Sequence, residues 1–277
     1  MTQAIHPPTS ISSDRETPAK TRSPLLQVRD LCKSFGQVQA CDRVSFDLYP
    51  GQVLGIVGES GSGKSTLLNS LAGKLALDSG TITYRSVSGD VMELTGISEP
   101  RLRRLMRTEW GFVQQNPRDG LRMNVSAGAN IGERLMDVGG RHYGSIRATA
   151  ADWLSKVEID GDRIDHLPHT FSGGMQQRLQ LARILVTEPR VILMDEPTGG
   201  LDVSVQARLL DLLRSLVRNL NLSVILVTHD IGVVRLLAHQ LLVMRYGKVV
   251  ESGLTDQVLD DPQHPYTQQL VSATLTP

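Results

Sequence analysis

The spacing of hydrophobic and polar positions changes several times along the chain, and each change predicts an element. Short runs typical of β-strands lie at residues 25–29, 44–48, 53–57 and 81–84. The turn Tyr49-Pro50-Gly51 separates the second run from the third. Because such a turn commonly joins neighbouring strands, we expect these two runs to form a hairpin.

Three later runs are apolar without alternation, at residues 112–113, 191–194 and 224–227. Continuous apolar strands are typical of a sheet that is covered on both faces. The segment between the last two runs carries apolar residues at helical spacing, namely Val205, Leu209, Leu212, Leu213 and Leu216. This strand–helix–strand order predicts a parallel α/β sheet.

The remaining segments suggest how the chain is divided. Residues 1–24 are rich in Ser, Thr and Pro and predict a disordered leader. We expect one domain over residues 25–270 and a short tail at residues 271–277. Residues 88–170 are polar, with mostly helical patterns and few strand signals, and we interpret them as an inserted helical lobe.

Composition and charge exclude some classes of function. Hydrophobic residues make up 40% of the chain and charged residues 21%, which predicts a globular protein. No apolar run reaches the ~20 residues that cross a bilayer, and the start of the chain does not resemble a secretory signal. Cys32 and Cys41 form no metal-binding pattern. We therefore expect a cytoplasmic location.

The charge balance concerns the partners. The formal net charge is +0, which argues against nucleic acid as a general partner. Arginine supplies 23 of the 29 basic residues, and Arg101, Arg103, Arg104 and Arg107 lie close together.

A glycine-rich motif gives the strongest local signal. It reads Gly58-Glu59-Ser60-Gly61-Ser62-Gly63-Lys64-Ser65-Thr66 and matches the P-loop pattern. A predicted strand precedes it, and a helical pattern through Leu67, Leu68 and Leu71 follows, as the motif requires. Glycines allow backbone N–H groups to converge on phosphates, and the helix N-terminus adds a positive potential. Lys64 can neutralise the β- and γ-phosphates, and the Ser65 hydroxyl can reach Mg²⁺.

Two apolar strands end in polar residues that can act on the same phosphates. Asp195 and Glu196 follow the run at residues 191–194, and His229 follows the run at residues 224–227. The carboxyl ends of parallel strands share one edge of a sheet. We therefore expect Asp195 to hold Mg²⁺, Glu196 to act on the attacking water and His229 to contact the γ-phosphate.

A second glycine-containing turn precedes the acidic strand. It reads Phe171-Ser172-Gly173-Gly174-Met175-Gln176-Gln177-Arg178 and enters a helical pattern. A helix N-terminus of this kind can bind an anion, although Ser-Gly-Gly is also common in ordinary turns.

In this order, over residues 25–270, the motifs resemble the ATP-binding cassette (ABC) family. The resemblance implies a mixed, mainly parallel sheet with an N-terminal antiparallel β-subdomain and an inserted helical lobe, and Mg²⁺-dependent ATP hydrolysis. It also implies that two chains pair head to tail. Each ATP is then held by the P-loop of one chain and by Ser172, Gly173, Gly174 and Gln176 of the other.

The same resemblance assigns three more residues. Phe35 would stack on adenine, and Asp202 would cross the dimer interface. Gln115 would be the switch glutamine that reaches Mg²⁺ and the water, with Gln114 as the alternative. The chain departs from the family where Phe171 and Met175 replace the usual Leu and Gln, and where Gly199-Gly200 precedes Leu201. We expect ATP binding to survive these changes because Ser172, Gly173 and Gly174 are retained.

Two branches of the family remain open. Residues 250–253 and 261–267 resemble the oligopeptide, dipeptide and nickel importer branch, in which the partner is a membrane permease. Within that tail, His264 and Tyr266 are expected in a packed turn rather than in a metal or ligand site. A cassette protein acting on DNA or ribosomes is disfavoured, because the chain holds neither long coiled-coil insertions nor a second fused cassette.

Residues 107–113, 117–122, 125–136, 141–144 and 198–208 instead resemble the cassette ATPase of the carbon–phosphorus lyase system for phosphonate catabolism. This resemblance implies docking on the soluble lyase core, with the radical S-adenosylmethionine subunit as the expected contact and a second ABC-type subunit as a possible companion. The chain has no Cys-x-x-x-Cys-x-x-Cys cluster and would not cleave the bond itself. We expect the docking surface at residues 115–122, with an exposed Leu121, and at residues 101–107.

Overall fold

Two β-sheets of different kinds organise the protein, in a computed structural model that describes residues 23–274. The strands are β1 (Leu26–Phe35), β2 (Val38–Leu48), β3 (Val53–Val57), β4 (Ser79–Arg85), β5 (Val91–Glu93), β6 (Trp110–Val113), β7 (Val191–Asp195), β8 (Ser223–Val227), β9 (Gln240–Arg245) and β10 (Lys248–Leu254). The helices are α1 (Lys64–Leu71), α2 (Glu99–Thr108), α3 (Pro117–Gly120), α4 (Ala127–Asp137), α5 (Tyr143–Lys156), α6 (Gly173–Leu185), α7 (Val203–Asn219), α8 (Ile231–Leu237), α9 (Thr255–Asp260) and α10 (Pro265–Thr274). Short 3₁₀ turns lie at Gly161–Asp165 and Pro168–Thr170.

The order of strands confirms the predicted fold class. A four-stranded antiparallel sheet has the order β2-β1-β4-β5, and a six-stranded sheet has the order β10-β9-β3-β8-β7-β6. In the larger sheet β9, β3, β8, β7 and β6 run parallel, and β10 is an antiparallel edge strand. The segment β7–α7–β8 is the predicted crossover between two parallel neighbours.

The predicted hairpin between residues 44–48 and 53–57 is wrong. These segments belong to β2 and β3, which lie in different sheets, and β2 forms its hairpin with β1 instead. The true turn is Gly36-Gln37, between the paired residues Phe35 and Val38, and Gly36 has the positive φ of 59° that tight turns favour. All five residues of β3 are buried, because this strand takes a central place between parallel neighbours β8 and β9.

The larger sheet is covered on both faces, as the continuous apolar runs predicted. Along β7, Ile192 and Met194 pack into one core cluster with residues of α4 to α8. Val191 and Leu193 lie in the other cluster, with α1 and the antiparallel sheet. The end of β7 is thereby fixed from both sides, and its position relative to α1 is set by packing.

Residues 88–170 are helical only in part. Strand β5 completes the antiparallel sheet, and β6 is the far edge of the larger one. Helix α2 lies between these two strands, and the remaining helices are α3 to α5 with both 3₁₀ turns. We call this last part, residues 117–170, the helical lobe. It packs on α6 through buried side chains that include Trp153 and Leu154.

Both predicted chain ends fall largely outside the described residues. This applies to the leader at residues 1–24 except its last two positions, and to residues 275–277 of the tail. Residues 271–274 belong to α10. Within residues 23–274, no helix combines the length and the apolar character that a bilayer crossing requires.

Candidate functional site

The phosphate loop between β3 and α1 depends on glycine at two positions. Gly58 and Gly63 have φ values of 153° and 104°, in the region that favours glycine. A Cβ built on Gly58 would overlap the carbonyl oxygen of Met244, and one built on Gly63 would overlap that of Ala40. The loop therefore passes too close to β9 and β2 for any larger residue.

Lys64 is buried at the base of this loop. Its Nζ donates to the carbonyl oxygens of Gly58 at 2.8 Å and Glu59 at 2.7 Å. Burial lowers the pKa of Lys64, and the negative charges of Glu196, Asp195 and Glu59 act in the opposite direction. The nearby carboxylates favour its protonated form, which is the form that attracts phosphate.

Asp195 and Ser65 form an oxygen-rich pair beside the loop. The Ser65 hydroxyl donates to Oδ1 of Asp195 at 3.2 Å, which joins the end of β7 to the start of α1. Burial raises the pKa of Asp195, the Ser65 hydrogen bond lowers it, and the charge of Glu196 raises it. Hydroxyl and carboxylate oxygens are the donors that Mg²⁺ prefers, so the two side chains fit this ion.

Glu196 turns away from Asp195 and meets two other predicted site residues. One carboxylate oxygen lies 2.9 Å from Nδ1 of His229, and the other accepts a hydrogen bond of 3.1 Å from Nε2 of Gln115. Glu196 has a φ of 42°, an uncommon left-handed conformation for a residue with a Cβ. This backbone turn sends consecutive carboxylates to different partners, Asp195 to Ser65 and Glu196 to the Gln115–His229 pair.

Of these residues, Lys64, Ser65, Gln115, Glu196 and His229 line one cleft of about 710 Å³, a volume suited to a nucleotide-sized ligand. Asp195 does not line it directly and is joined to it through Ser65. The half-exposed ring of Phe35 and the side chain of Val38 form an apolar patch in it. The lining residues are Phe35, Val38, Ala40, Ser60, Gly61, Gly63, Lys64, Ser65, Thr66, Gln115, Glu196 and His229. The larger neighbouring cavity between β5 and α2 contains none of the predicted site residues.

The second glycine-containing turn does not line this cleft. Ser172 is the N-cap of α6, and its hydroxyl accepts from the backbone of Met175 at 3.3 Å. Ser172 and Gly173 are exposed, whereas Gly174 and Gln176 are buried. The Gln176 amide donates to the carbonyl oxygens of Pro168 at 3.0 Å and Phe171 at 3.1 Å, so this side chain braces the turn instead of pointing outward. Asp202 is exposed at the start of α7.

The fold also brings in a residue that sequence reasoning missed, Gln180 in α6. Its fully buried amide accepts from the backbone N–H of Gln114 at 2.7 Å and donates to the carbonyl oxygen of Gln114 at 3.2 Å. Three residues further on, Arg183 donates to the carbonyl oxygen of Gly120 at 2.9 Å. The segment that carries Gln115 is thus held at both ends by α6, and Gln115 rather than Gln114 lines the cleft.

Tyr266 is a second residue whose contact the sequence did not indicate. Its side chain is buried, as a packed turn predicts, but its hydroxyl also accepts a hydrogen bond of 2.9 Å from the backbone N–H of Glu59. Only its position in a Pro-rich tail was visible in the sequence. Among residues 23–274, no group of three or more His, Cys, Asp and Glu residues is placed to hold a metal ion, at His264 or elsewhere.

Comparison with known proteins agrees with this geometry. The family described as ABC transporter matches residues 41–199. The chain is 65% identical to the phosphonates utilization ATP-binding protein PhnK of Escherichia coli K12, over 91% of this chain and 98% of that protein. It is 38% identical to the dipeptide transport ATP-binding protein DppD of Bacillus subtilis, over 90% and 76% of the two chains.

Solved structures agree as well. A dimeric bacterial ABC transporter cassette, MJ0796, superposes with a TM-score of 0.74 at 27% identity, covering 83% of this chain and 98% of that one. A second structure of MJ0796, in a post-hydrolysis state with ADP and phosphate, gives a TM-score of 0.73 at 27% identity and covers 83% and 98% of the two chains. The phosphate loop, the acidic strand end and these relatives lead to one assignment: the chain belongs to the ABC transporter family of ATP-binding cassettes, and it is an ATPase.

Proposed function

We propose that this ATPase works as a head-to-tail dimer on the soluble carbon–phosphorus lyase core, where ATP hydrolysis remodels the core during phosphonate catabolism. The observation that carries the proposal is the 65% identity to PhnK over nearly its whole length. Relatives named for peptide or dipeptide transport reach only 36–39%. The same proposal places the protein in the cytoplasm, with the lyase core as its partner and a second ABC-type subunit as a possible companion.

Within the proposal, Glu196 is the general base for the attacking water. Gln115 and His229 each contact one of its carboxylate oxygens and fix its direction. Since Nδ1 of His229 lies on Glu196, its other ring nitrogen, Nε2, is the one that would contact the γ-phosphate. Lys64 and the loop N–H groups hold the β- and γ-phosphates, and Phe35 supports the adenine. Mg²⁺, held by Ser65, Asp195 and Gln115, would neutralise charge on the phosphates.

The positions of the cleft and of the second glycine-containing turn support the dimer in the proposal. The cleft is open to solvent, and Ser172 and Gly173 lie exposed elsewhere on the same chain. A second chain in head-to-tail orientation would bring these two residues, with Gly174, against the γ-phosphate, and Asp202 to the interface. One solved relative is described as a dimeric cassette, which supports the formation of a dimer.

We expect the chain to be largely monomeric without nucleotide and to dimerise with Mg-ATP, since each ATP would join two chains. Sedimentation of the Glu196→Gln variant with and without Mg-ATP measures this. A second variant, Gly173→Glu, serves as the comparison. It would place a negative charge against the γ-phosphate bound by the second chain. A Cβ at this position has room, since it would lie 3.6 Å from the Leu201 side chain, an ordinary van der Waals distance. This variant is expected to bind ATP and stay monomeric. If the Glu196→Gln variant remains a monomer at saturating Mg-ATP, the head-to-tail dimer is contradicted.

The proposed docking surface differs from the sequence expectation at one residue. Leu121 is only 7% exposed and packs in the core, so it cannot contribute an apolar contact. The arginines remain on the surface: Arg118 is exposed, and Arg122 pairs with Glu133 at 2.9 Å with 63% of its side chain accessible. Arginine forms planar, bidentate contacts with carboxylates, which suits an interface beside the segment that carries Gln115.

Reversing both charges, by Arg118→Glu with Arg122→Glu, is expected to weaken binding to the lyase core at least about tenfold, since like charges across an interface are repelled. ATP affinity should stay unchanged. Pull-down of the core subunits and nucleotide titration measure the two quantities. The control is Arg218→Glu with Arg235→Glu on α7 and α8, which alters net charge equally and also breaks one surface pair, Arg235 with Asp260. Full co-purification of the lobe variant with the core would refute the docking surface.

An importer role is the second candidate, because DppD and related import proteins match about nine tenths of this chain. The two functions require different partners, a lyase core or a membrane permease. Co-expression of the tagged chain with each set of subunits distinguishes them. Recovery with the lyase core, together with restored growth on a phosphonate as the phosphorus source in a strain lacking its own cassette ATPase, is expected. Recovery with the permease alone would favour import.

A further inference from the structure

The C-terminal segment of the chain reaches back to the phosphate loop. Tyr266 lies in the first turn of α10, and its hydroxyl is the hydrogen-bond acceptor for the backbone N–H of Glu59, the second residue of the motif. The two residues are 207 positions apart in the sequence. Tyr266 is 1% exposed, whereas Glu59 lies at the surface, so the hydroxyl reaches the loop from the interior of the protein.

The contact fixes a peptide group that also holds Lys64. The peptide between Gly58 and Glu59 is planar, so its carbonyl and its N–H point in opposite directions and turn together. The carbonyl accepts from Nζ of Lys64 at 2.8 Å, and the N–H donates to Tyr266 at 2.9 Å. Tyr266 therefore sets the orientation of the peptide that receives the lysine.

The turn before α10 is built to hold Tyr266 in this place. The Glu251 carboxylate on β10 accepts from the backbone N–H groups of Gln263 at 2.8 Å and His264 at 3.0 Å. Nδ1 of His264 in turn accepts from the backbone N–H of Tyr266 at 3.1 Å. The Arg245 guanidinium lies 4.6 Å from the centre of the tyrosine ring. The ring is thus held from two strands and from its own turn.

We propose that Tyr266 is a positioning residue for nucleotide binding: through the Gly58–Glu59 peptide, the C-terminal turn holds the phosphate loop and Lys64 in the geometry that receives ATP. Without the hydroxyl, the N–H of Glu59 loses its partner in the protein, and the peptide is free to rotate. Ground-state affinity for nucleotide then falls, whereas Glu196 and its partners are unchanged. The inference concerns ATP binding by the chain itself and does not depend on the lyase core.

The test is Tyr266→Phe, which removes one oxygen and keeps the ring. The KM for ATP and the Kd for ADP are expected to rise about three- to tenfold, as for the loss of one hydrogen bond, with kcat within about twofold of the parent. The matched control is Tyr84→Phe, which removes another buried hydroxyl, one that donates to Glu109 at 2.8 Å and lies outside the cleft. It should lower the melting temperature and leave the KM unchanged.

A second variant tests the same idea while Tyr266 stays in place. Glu251→Gln weakens the two hydrogen bonds that hold the turn, and it is expected to raise the KM for ATP in the same direction by a smaller factor. The proposal is overturned if Tyr266→Phe binds ADP as the parent does, or if the two tyrosine variants shift the KM equally. An unchanged KM in Glu251→Gln would remove the role assigned to the turn and would count against the proposal even if Tyr266→Phe failed to fold.

Discussion

Replacing Glu196 by glutamine is expected to lower ATP turnover by a factor of about 10²–10⁴, the usual cost of removing a general base. ATP binding should persist, because Lys64 and the phosphate loop are unchanged. Glutamine keeps the shape of the side chain and can still meet Gln115 and His229, but it cannot accept a proton from the attacking water. Release of phosphate under single-turnover conditions and equilibrium binding of ATP measure the two effects separately.

The matched control is Glu188→Gln. Glu188 is an exposed glutamate between α6 and β7, with a left-handed φ of 50°, close to the 42° of Glu196. Glu188→Gln removes one negative charge at a left-handed backbone position, as Glu196→Gln does, but away from the cleft. ATP turnover should therefore equal that of the parent. Glu196→Gln with near-normal turnover would exclude this residue as the base.

The second large effect is expected from Gly63→Ala. Gly63 has a φ of 104°, and a Cβ would overlap the carbonyl oxygen of Ala40, so the loop must move away from β2. Since Gly63 directly precedes α1, the N–H groups that receive the phosphates would move with it. We expect nucleotide affinity to fall roughly ten- to a hundredfold or more, the equivalent of a few kcal/mol of backbone strain.

Gly89→Ala separates conformational strain from the steric overlap. Gly89 has a comparable φ of 89°, but a Cβ there would meet nothing within 4 Å. This variant should lose some stability and bind ATP normally, as measured by thermal melting and nucleotide titration. Equal loss of ATP binding in both variants would mean that the close approach to Ala40 is not what requires glycine in the loop.

The meeting of Glu196 with His229 could be predicted because it follows from one topological rule. Glu196 comes directly after the apolar strand β7, and His229 lies two residues after the apolar strand β8. Parallel strands that are neighbours bring such positions to one edge of the sheet. The phosphate loop follows a third strand of the same kind, β3, which pairs with β8. Local patterns therefore placed most of the cleft before any tertiary contact was known.

What could not be predicted depends on tertiary neighbours. The turn Tyr49-Pro50-Gly51 has the local signal of a hairpin, yet the chain crosses there from one sheet to the other. The reason is that β3 pairs on both sides with parallel strands, β8 and β9. Leu121 stands among polar residues and was expected at the surface, but the segment folds back on α6 and buries it. The contact of Tyr266 joins residues far apart in sequence, and no pattern indicates it.

The amide of Gln180 has a consequence for how the two nucleotides of a dimer are related. Helix α6 begins at the turn proposed to meet the partner's nucleotide. Seven residues further on, Gln180 holds the backbone of Gln114, next to Gln115, which lines the chain's own cleft. A helix is stiff over two turns, so a tilt at its first residue displaces the Gln114 backbone as well. In a dimer, α6 of each chain would then connect the two nucleotide sites. Binding or loss of ATP at one site would shift the Gln114 backbone at the other.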